Sequence, residues 1–247
     1  LSKYTLILAI FLLSIYIGIH VNFFNNDDWV HYKTVERFLT GDFSLHPYIG
    51  STFYTQGILA YIFSNFFGIN RLPVLTILIS VLNIFIFHKI LNLLSPEKNF
   101  LKTLATLLLV LNPLYLYSSI GFMTENYVIL FVLSVVYFQF KFQNSGKPLN
   151  LLYQKFFLVL GFFVKQYAIF LAFSTIVYLA IKQKWKDLII YSVLTIILIL
   201  SYIFIFPKNE VLSGQALNLE RFFDIIDYSL PFFLTIFLYL SFFTLPL

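Results

Sequence analysis

Asp27 and Asp28 stand side by side directly after the first membrane-length apolar run, in a chain with only 11 acidic residues among 247. A carboxylate held close to a bilayer is expensive, so such a pair marks a functional site in a membrane protein. Two carboxylates placed there can take a proton from a hydroxyl or amine, orient that group, or hold a hard cation such as Mg2+ or Mn2+. The bland alternative is capping, because Asn25, Asn26 and the two Asp residues all suit a helix amino end. One Asp is explained that way. A second, with His31 one turn on, leaves a carboxylate to face a cavity.

Glu125 is the other notable acid, the only one between Glu97 and Asp187. It lies in Gly121-Phe122-Met123-Thr124-Glu125-Asn126, where a first-turn charge behind a Thr124 cap is an equally good reading. Arg71 and Lys165 stand at the edges of apolar runs and can snorkel to headgroups or meet a lipid phosphate. His20, His31, His46 and His88 show no metal-ligand spacing. With no Cys, disulfides and thiolate chemistry are excluded. No phosphate-cradling Gly-rich loop or G-x-S-x-G occurs, which removes nucleotide-driven transport and serine-hydrolase chemistry on this chain.

The elements that must position these groups are membrane helices. Charged residues are 11% of the chain and mean hydropathy is +0.88, against roughly 25% charge in soluble domains. Barrel strands would alternate apolar and polar residues, and that pattern is missing. The expected architecture is all-α and polytopic, with about eight spans near 4–21, 72–94, 100–117, 126–141, 151–164, 167–181, 187–206 and 228–247. A retained first span fits Tyr4–Val21 better than a signal peptide, since no small-residue cleavage site follows it. Starting at Leu1 and ending in an apolar stretch, the sequence reads as part of a longer chain, a single membrane domain over 1–247 with a polar loop at 22–71.

Lys and Arg give the orientation. With the amino end inside, ten of the 16 basic residues collect on the inner side and nine of the 11 acids on the outer, as the positive-inside rule expects. The net charge of +5 is then a topogenic signal, not a nucleic-acid footprint. Trp29–Leu39, with Tyr32, Val35, Phe38 and Leu39 at helical spacing, predicts a loop helix ended by Gly41. Segment 53–67 is apolar enough to span, but spanning would invert the charge bias, so an in-plane interfacial helix is expected. Segment 151–181 has Lys-rich flanks and therefore needs two short helices, with Lys165 at the turn.

Asn26-Asp27-Asp28-Trp29-Val30-His31-Tyr32, running to Leu39-Thr40-Gly41, resembles the GT-C superfamily of polyprenyl-phosphate-sugar-dependent glycosyltransferases, which includes protein O-mannosyltransferases and lipid A aminoarabinose transferases. Tyr54-Thr55-Gln56-Gly57, Phe67-Gly68-Ile69-Asn70-Arg71-Leu72-Pro73, Asn112-Pro113 with Met123-Thr124-Glu125, and Gly161-Phe162-Phe163-Val164-Lys165-Gln166 resemble further family segments in order. The family's Pro-Pro pair is absent from the loop, and Asp28 replaces the commoner Glu.

The resemblance implies a membrane glycosyltransferase that works on the extracytoplasmic face with inversion. Asp27 would be the general base. Asp28 and Glu125 would orient the acceptor or hold a divalent cation. Arg71 and Lys165 would meet the leaving phosphate, with His31, Tyr54 and Gln56 in the substrate site. The expected partners are a polyprenyl-phosphate-linked sugar, a lipid, glycan or protein acceptor, and membrane lipids, in a prokaryotic plasma membrane. The competing class is a transporter or lipid flippase with carboxylate ion sites, which predicts acids deep within spans beside broken helices.

Overall fold

Nine α-helices lie between residues 28 and 205: α1 (Asp28–Leu39), α2 (Tyr54–Phe67), α3 (Leu72–Leu94), α4 (Asn99–Val110), α5 (Pro113–Ile120), α6 (Thr124–Ser145), α7 (Pro148–Phe162), α8 (Phe170–Ile181) and α9 (Trp185–Ile205). Single 3-10 turns, Ile69–Arg71 and Gln166–Ile169, lead into α3 and α8. The computed structural model describes residues 7–9, 11–13, 15–16 and 28–205, all within the unit Leu1–Pro207. Among them there is no strand.

The packing follows from a sequence that is apolar almost all round. Helix α6 lies between α3 and α7, and α9 packs on α8. Val135, Phe142, Leu151, Leu158, Leu179 and Tyr191 fill the joint between α6, α7, α8 and α9. In lipid the apolar effect does not hold helices together, so side-chain hydrogen bonds and close fit matter more. Gln154 donates to Gln139 Oε1 at 2.6 Å and to Thr175 Oγ1 at 2.8 Å, linking α7 to α6 and α8. Asn83 donates to the Asn126 carbonyl at 2.9 Å, linking α3 to α6. Leu78, Phe85, Leu108, Phe156 and Ile196 point outward and are exposed, as lipid-facing residues are.

Three helical stretches are long and apolar enough to cross a membrane: Ile69–Leu94, Thr124–Ser145 and Trp185–Phe204, or four if α4 and α5 count as one bent span. Among the described residues, then, the eight expected spans are not confirmed. Helix α7 has 15 residues, about 22 Å at 1.5 Å per residue, short of the roughly 30 Å hydrocarbon core. The expected spans at 228–247 and, in large part, 4–21 lie outside the described residues, as does the loop at 207–227.

The expected straight span at 100–117 is broken, with a 54° bend between α4 and α5. Pro113 cannot continue the ladder, and Asn112 restarts it by accepting from the Leu114 and Tyr115 N–H groups at 2.9 and 3.2 Å. Segment 151–181 does divide, at Phe163–Lys165. Segment 53–67 forms α2, which turns Thr55, Gln56, Gly57, Ala60 and Ser64 to the protein and Ile58, Ile62, Phe66 and Phe67 outward. That polarity, reversed from a soluble helix, is what a helix lying against lipid requires.

Candidate active site

The carboxyl end of α7, the amino ends of α3 and α6, and the loop helices α1 and α2 meet at one end of the helices. The turns at 95–98, 145–147 and 182–184 lie at the other. What joins the loop to the helices is largely main chain. Phe53 N–H donates to the Val164 carbonyl and Thr55 N–H to the Phe163 carbonyl, both at 3.0 Å. The Thr52 hydroxyl donates to the Phe162 carbonyl. These three carbonyls are freed because α7 ends there, so the break in the helix supplies the acceptors.

Phe53 adopts φ +45°, a left-handed conformation that a bulky residue avoids. Packing holds it. Its ring stacks on His31 at 4.9 Å and meets Phe122 edge-on at 6.0 Å. Val30, Val35, Ile49, Leu72, Phe122, Tyr127, Phe131 and Val164 complete this core beneath the loop. A Cβ on Gly57 would come within 2.6 Å of the Phe38 ring and 3.1 Å of Phe53, so α1 and α2 touch only because that position is bare.

Above this core lies a cavity of about 260 Å³, lined by Val30, His31, Tyr48–Ser51, Met123–Glu125 and Lys165. Lys165 Nζ donates to Glu125 Oε1 at 3.1 Å across its wall. Among the described residues it is the one ion pair that lines the cavity; the other two, Lys33–Glu36 and Arg37–Asp42, lie on or just after α1. Each partner has a local cause. Glu125 sits in the first turn of α6, where a negative charge suits the helix dipole. Lys165 is held in extended backbone, φ −152°, between α7 and the turn at Gln166–Ile169.

The structure thus brings together His31, Glu125 and Lys165. Asp28 begins α1 and is buried, but it is not part of the cavity wall. Its charge is felt nonetheless: burial, and then Asp28, push the Tyr32 phenol up to about 12. Asp27 lies outside the described residues. Arg71 is exposed on the turn before α3 and does not reach the cavity. Tyr54 stacks on Phe38 at 6.3 Å, and burial raises its phenol.

Gln56 is fully buried, and its Nε2 donates to the Phe122 and Met123 carbonyls at 3.4 and 3.5 Å. It ties α2 to the link that carries Glu125. Gln56→Ala strands those two carbonyls and is expected to cost about 1–2 kcal/mol, read as a lower Tm in detergent. Tyr48 and Ser51 were not singled out as site residues by the sequence, and Met123 and Thr124 were marked only as the cap and segment around Glu125.

The near wall of the cavity is steadied by Arg37, which donates from Nε to Asp42 Oδ2 at 2.9 Å, from Nη1 to the Leu45 carbonyl at 3.4 Å, and to Ser44 Oγ. Hydrogen bonds from Ser44, and then Arg37, hold the Asp42 carboxyl down at about 2, against an ordinary 3.8. A depressed carboxylate stabilises the fold above its unfolded value and loses that contribution as pH falls through the folded one. Between about pH 4 and pH 2 the 42–49 turn is therefore expected to loosen. Asp42→Asn should produce the same loosening at neutral pH, seen as faster amide exchange at Ile49, whose N–H donates to the His46 carbonyl at 2.9 Å.

Mg2+ is usually held by one or two carboxylates, with waters and substrate phosphate oxygens completing its shell. Among the described residues no three of His, Cys, Asp and Glu gather in one place, and the Glu125 carboxylate is already turned to Lys165. Asp28 does not share the cavity wall with Glu125, Asp27 lies outside the described residues, and the chemistry below uses no cation.

A family model described as dolichyl-phosphate-mannose-protein mannosyltransferase matches residues 46–206, and the chain belongs to that family. That match makes this all-helical bundle, with its charged cavity at the helix ends, a membrane glycosyltransferase of the GT-C type. The match takes in Tyr54, Gln56, Arg71, Glu125 and Lys165 and starts after the Asp27-Asp28 pair. Neither the curated proteins nor the solved structures returned a match. The family places the chain among integral membrane enzymes that use a lipid-linked sugar donor and a glycan or protein acceptor.

Proposed function

We propose that this chain transfers a sugar from a polyprenyl-phosphate donor to an acceptor hydroxyl or amine, with inversion, at the extracytoplasmic face of a prokaryotic plasma membrane. The observation that carries the reading is the Glu125–Lys165 pair in the wall of a cavity roofed by the loop that follows Asp27 and Asp28. Asp27 takes the acceptor proton, and the freed oxygen or nitrogen bonds to the anomeric carbon. The bond from that carbon to the phosphate oxygen breaks, and polyprenyl phosphate leaves with the electron pair.

A phosphate ester is a good leaving group without a strong acid, but it needs positive charge as it departs. Lys165 supplies that charge at the cavity, while Arg71, exposed ahead of α3, is placed to meet a headgroup. Glu125 and Asp28 orient the acceptor. A transporter would carry acids inside its spans. Here the acids on the described helices sit at their ends or on the loop helix: Asp28 and Glu36 on α1, Glu125 and Asp187 in first turns. That placement favours transfer over transport.

The test has two parts. In proteoliposomes, polyprenyl-phosphate-mannose should lose its sugar to an added acceptor extract, and Lys165→Ala should lower that rate by about 10²–10³. A rate unchanged by Lys165→Ala removes Lys165 from the site. The Cys-free chain also permits clean thiol mapping. Cysteines at Ser44 and Asn70 should label from outside the cell and those at Asn99 and Ser145 should not; the reverse pattern puts the cavity on the cytoplasmic side.

A further inference from the structure

We infer that Glu125 is a stand-in for the donor phosphate: it occupies the Lys165 ammonium in the free enzyme, and donor binding displaces it. The inference rests on the proposal that Lys165 meets the phosphate, and deepens it. Two observations support an exchangeable contact. The Glu125 and Lys165 side chains keep 42% and 28% of their surface open, so neither is locked in place by burial. They also come from separate elements, the first turn of α6 and the break after α7, and each lines the same cavity.

The ammonium has three N–H donors and could in principle bond both anions. A carboxylate held within a few ångström of a phosphate is nevertheless repelled by it. A donor phosphodiester matches the carboxylate, with one negative charge and two free oxygens each, so the anchoring of its polyprenyl chain in the bilayer is what tips the lysine to the phosphate. Glu125 then turns from Lys165 into the cavity, whose lining includes His31 and Ser51. Its carboxylate becomes available to orient an acceptor only once the donor is seated. The arrangement therefore imposes an order of binding, donor before acceptor.

Exchange makes a prediction that a purely structural ion pair does not. Removing Glu125 removes a competitor, so phosphate binding should strengthen. The probe is geranyl phosphate, a monoester that stands for the leaving polyprenyl phosphate at the same lysine, titrated into the purified full chain in detergent and read by calorimetry at one fixed salt concentration. Glu125→Gln is expected to bind about fivefold more tightly than wild type, the worth of a half-exposed pair. Lys165→Gln should bind at least tenfold more weakly, and Glu125→Gln should then give no further gain in the double variant. Glu125→Ala repeats the measurement without an amide that could itself bond the lysine, and a thermal melt confirms that each variant is folded.

The outcomes separate. If Glu125→Gln and Glu125→Ala bind no more tightly than wild type while Lys165→Gln loses binding, the exchange is wrong and the phosphate site stands. If Lys165→Gln binds as well as wild type, the phosphate site itself falls and the exchange falls with it.

Discussion

Asp27→Asn is expected to abolish detectable sugar transfer, a loss of about 10²–10⁴ in rate, which is what removal of a general base costs. Asparagine keeps the size and the capping capacity of aspartate but cannot accept a proton. Expression, membrane insertion and Tm should therefore stay at wild-type levels, and so should the Kd for geranyl phosphate. That combination sets a base apart from a cap. Asp28→Asn makes the comparison: it changes a buried group at the start of α1 that orients the acceptor rather than taking its proton, so transfer should fall less than in Asp27→Asn. A proteoliposome assay of both variants decides the assignment: transfer retained in Asp27→Asn transfers the role to another residue.

Gly161→Ala is expected to be the most damaging single methyl group that can be added near the site. A Cβ there would lie 2.9 Å from Phe131 Cβ and 3.4 Å from Ala168 Cβ. Both are atoms fixed to their own backbones, so relief requires α6 or the turn at Gln166–Ile169 to shift. Overpacking of this kind costs about 1–3 kcal/mol. The shift falls on the segment that presents Lys165 and the Phe162–Val164 carbonyls, so activity should fall further than stability alone explains. Gly57→Ala makes the useful comparison, since its neighbours are ring edges of Phe38 and Phe53 rather than Cβ atoms. Thermal melts of the two variants, run beside transfer assays, measure the difference.

Much of the architecture could be read from residue type. The helix on Asp28–Leu39, its end at Gly41 (φ +87°), and the division of 151–181 at Lys165 were visible because apolar spacing, Gly and flanking Lys carry them. The approach of Glu125 to Lys165 was partly visible: both acid and base were marked, but not that they pair. The bend at Asn112-Pro113 was readable in principle and lost to a smooth hydropathy run. The clamp between 52–55 and 162–164 left no trace, because main-chain groups are common to every residue. Nor could Phe53 at positive φ be foreseen. Arg71, Tyr54 and Gln56 matched family segments in order, yet order along a chain does not say which way a side chain faces.

That clamp has a consequence for how the enzyme is made. Thr52 and Phe162 are 110 positions apart. At 5–20 residues per second, the ribosome delivers the second partner roughly 5–20 s after the first. During that interval α1 and α2 have left the ribosome without the carbonyls they will bond. The intervening helices can be in the bilayer before the roof is fixed, and the site cannot assemble until α7 has terminated.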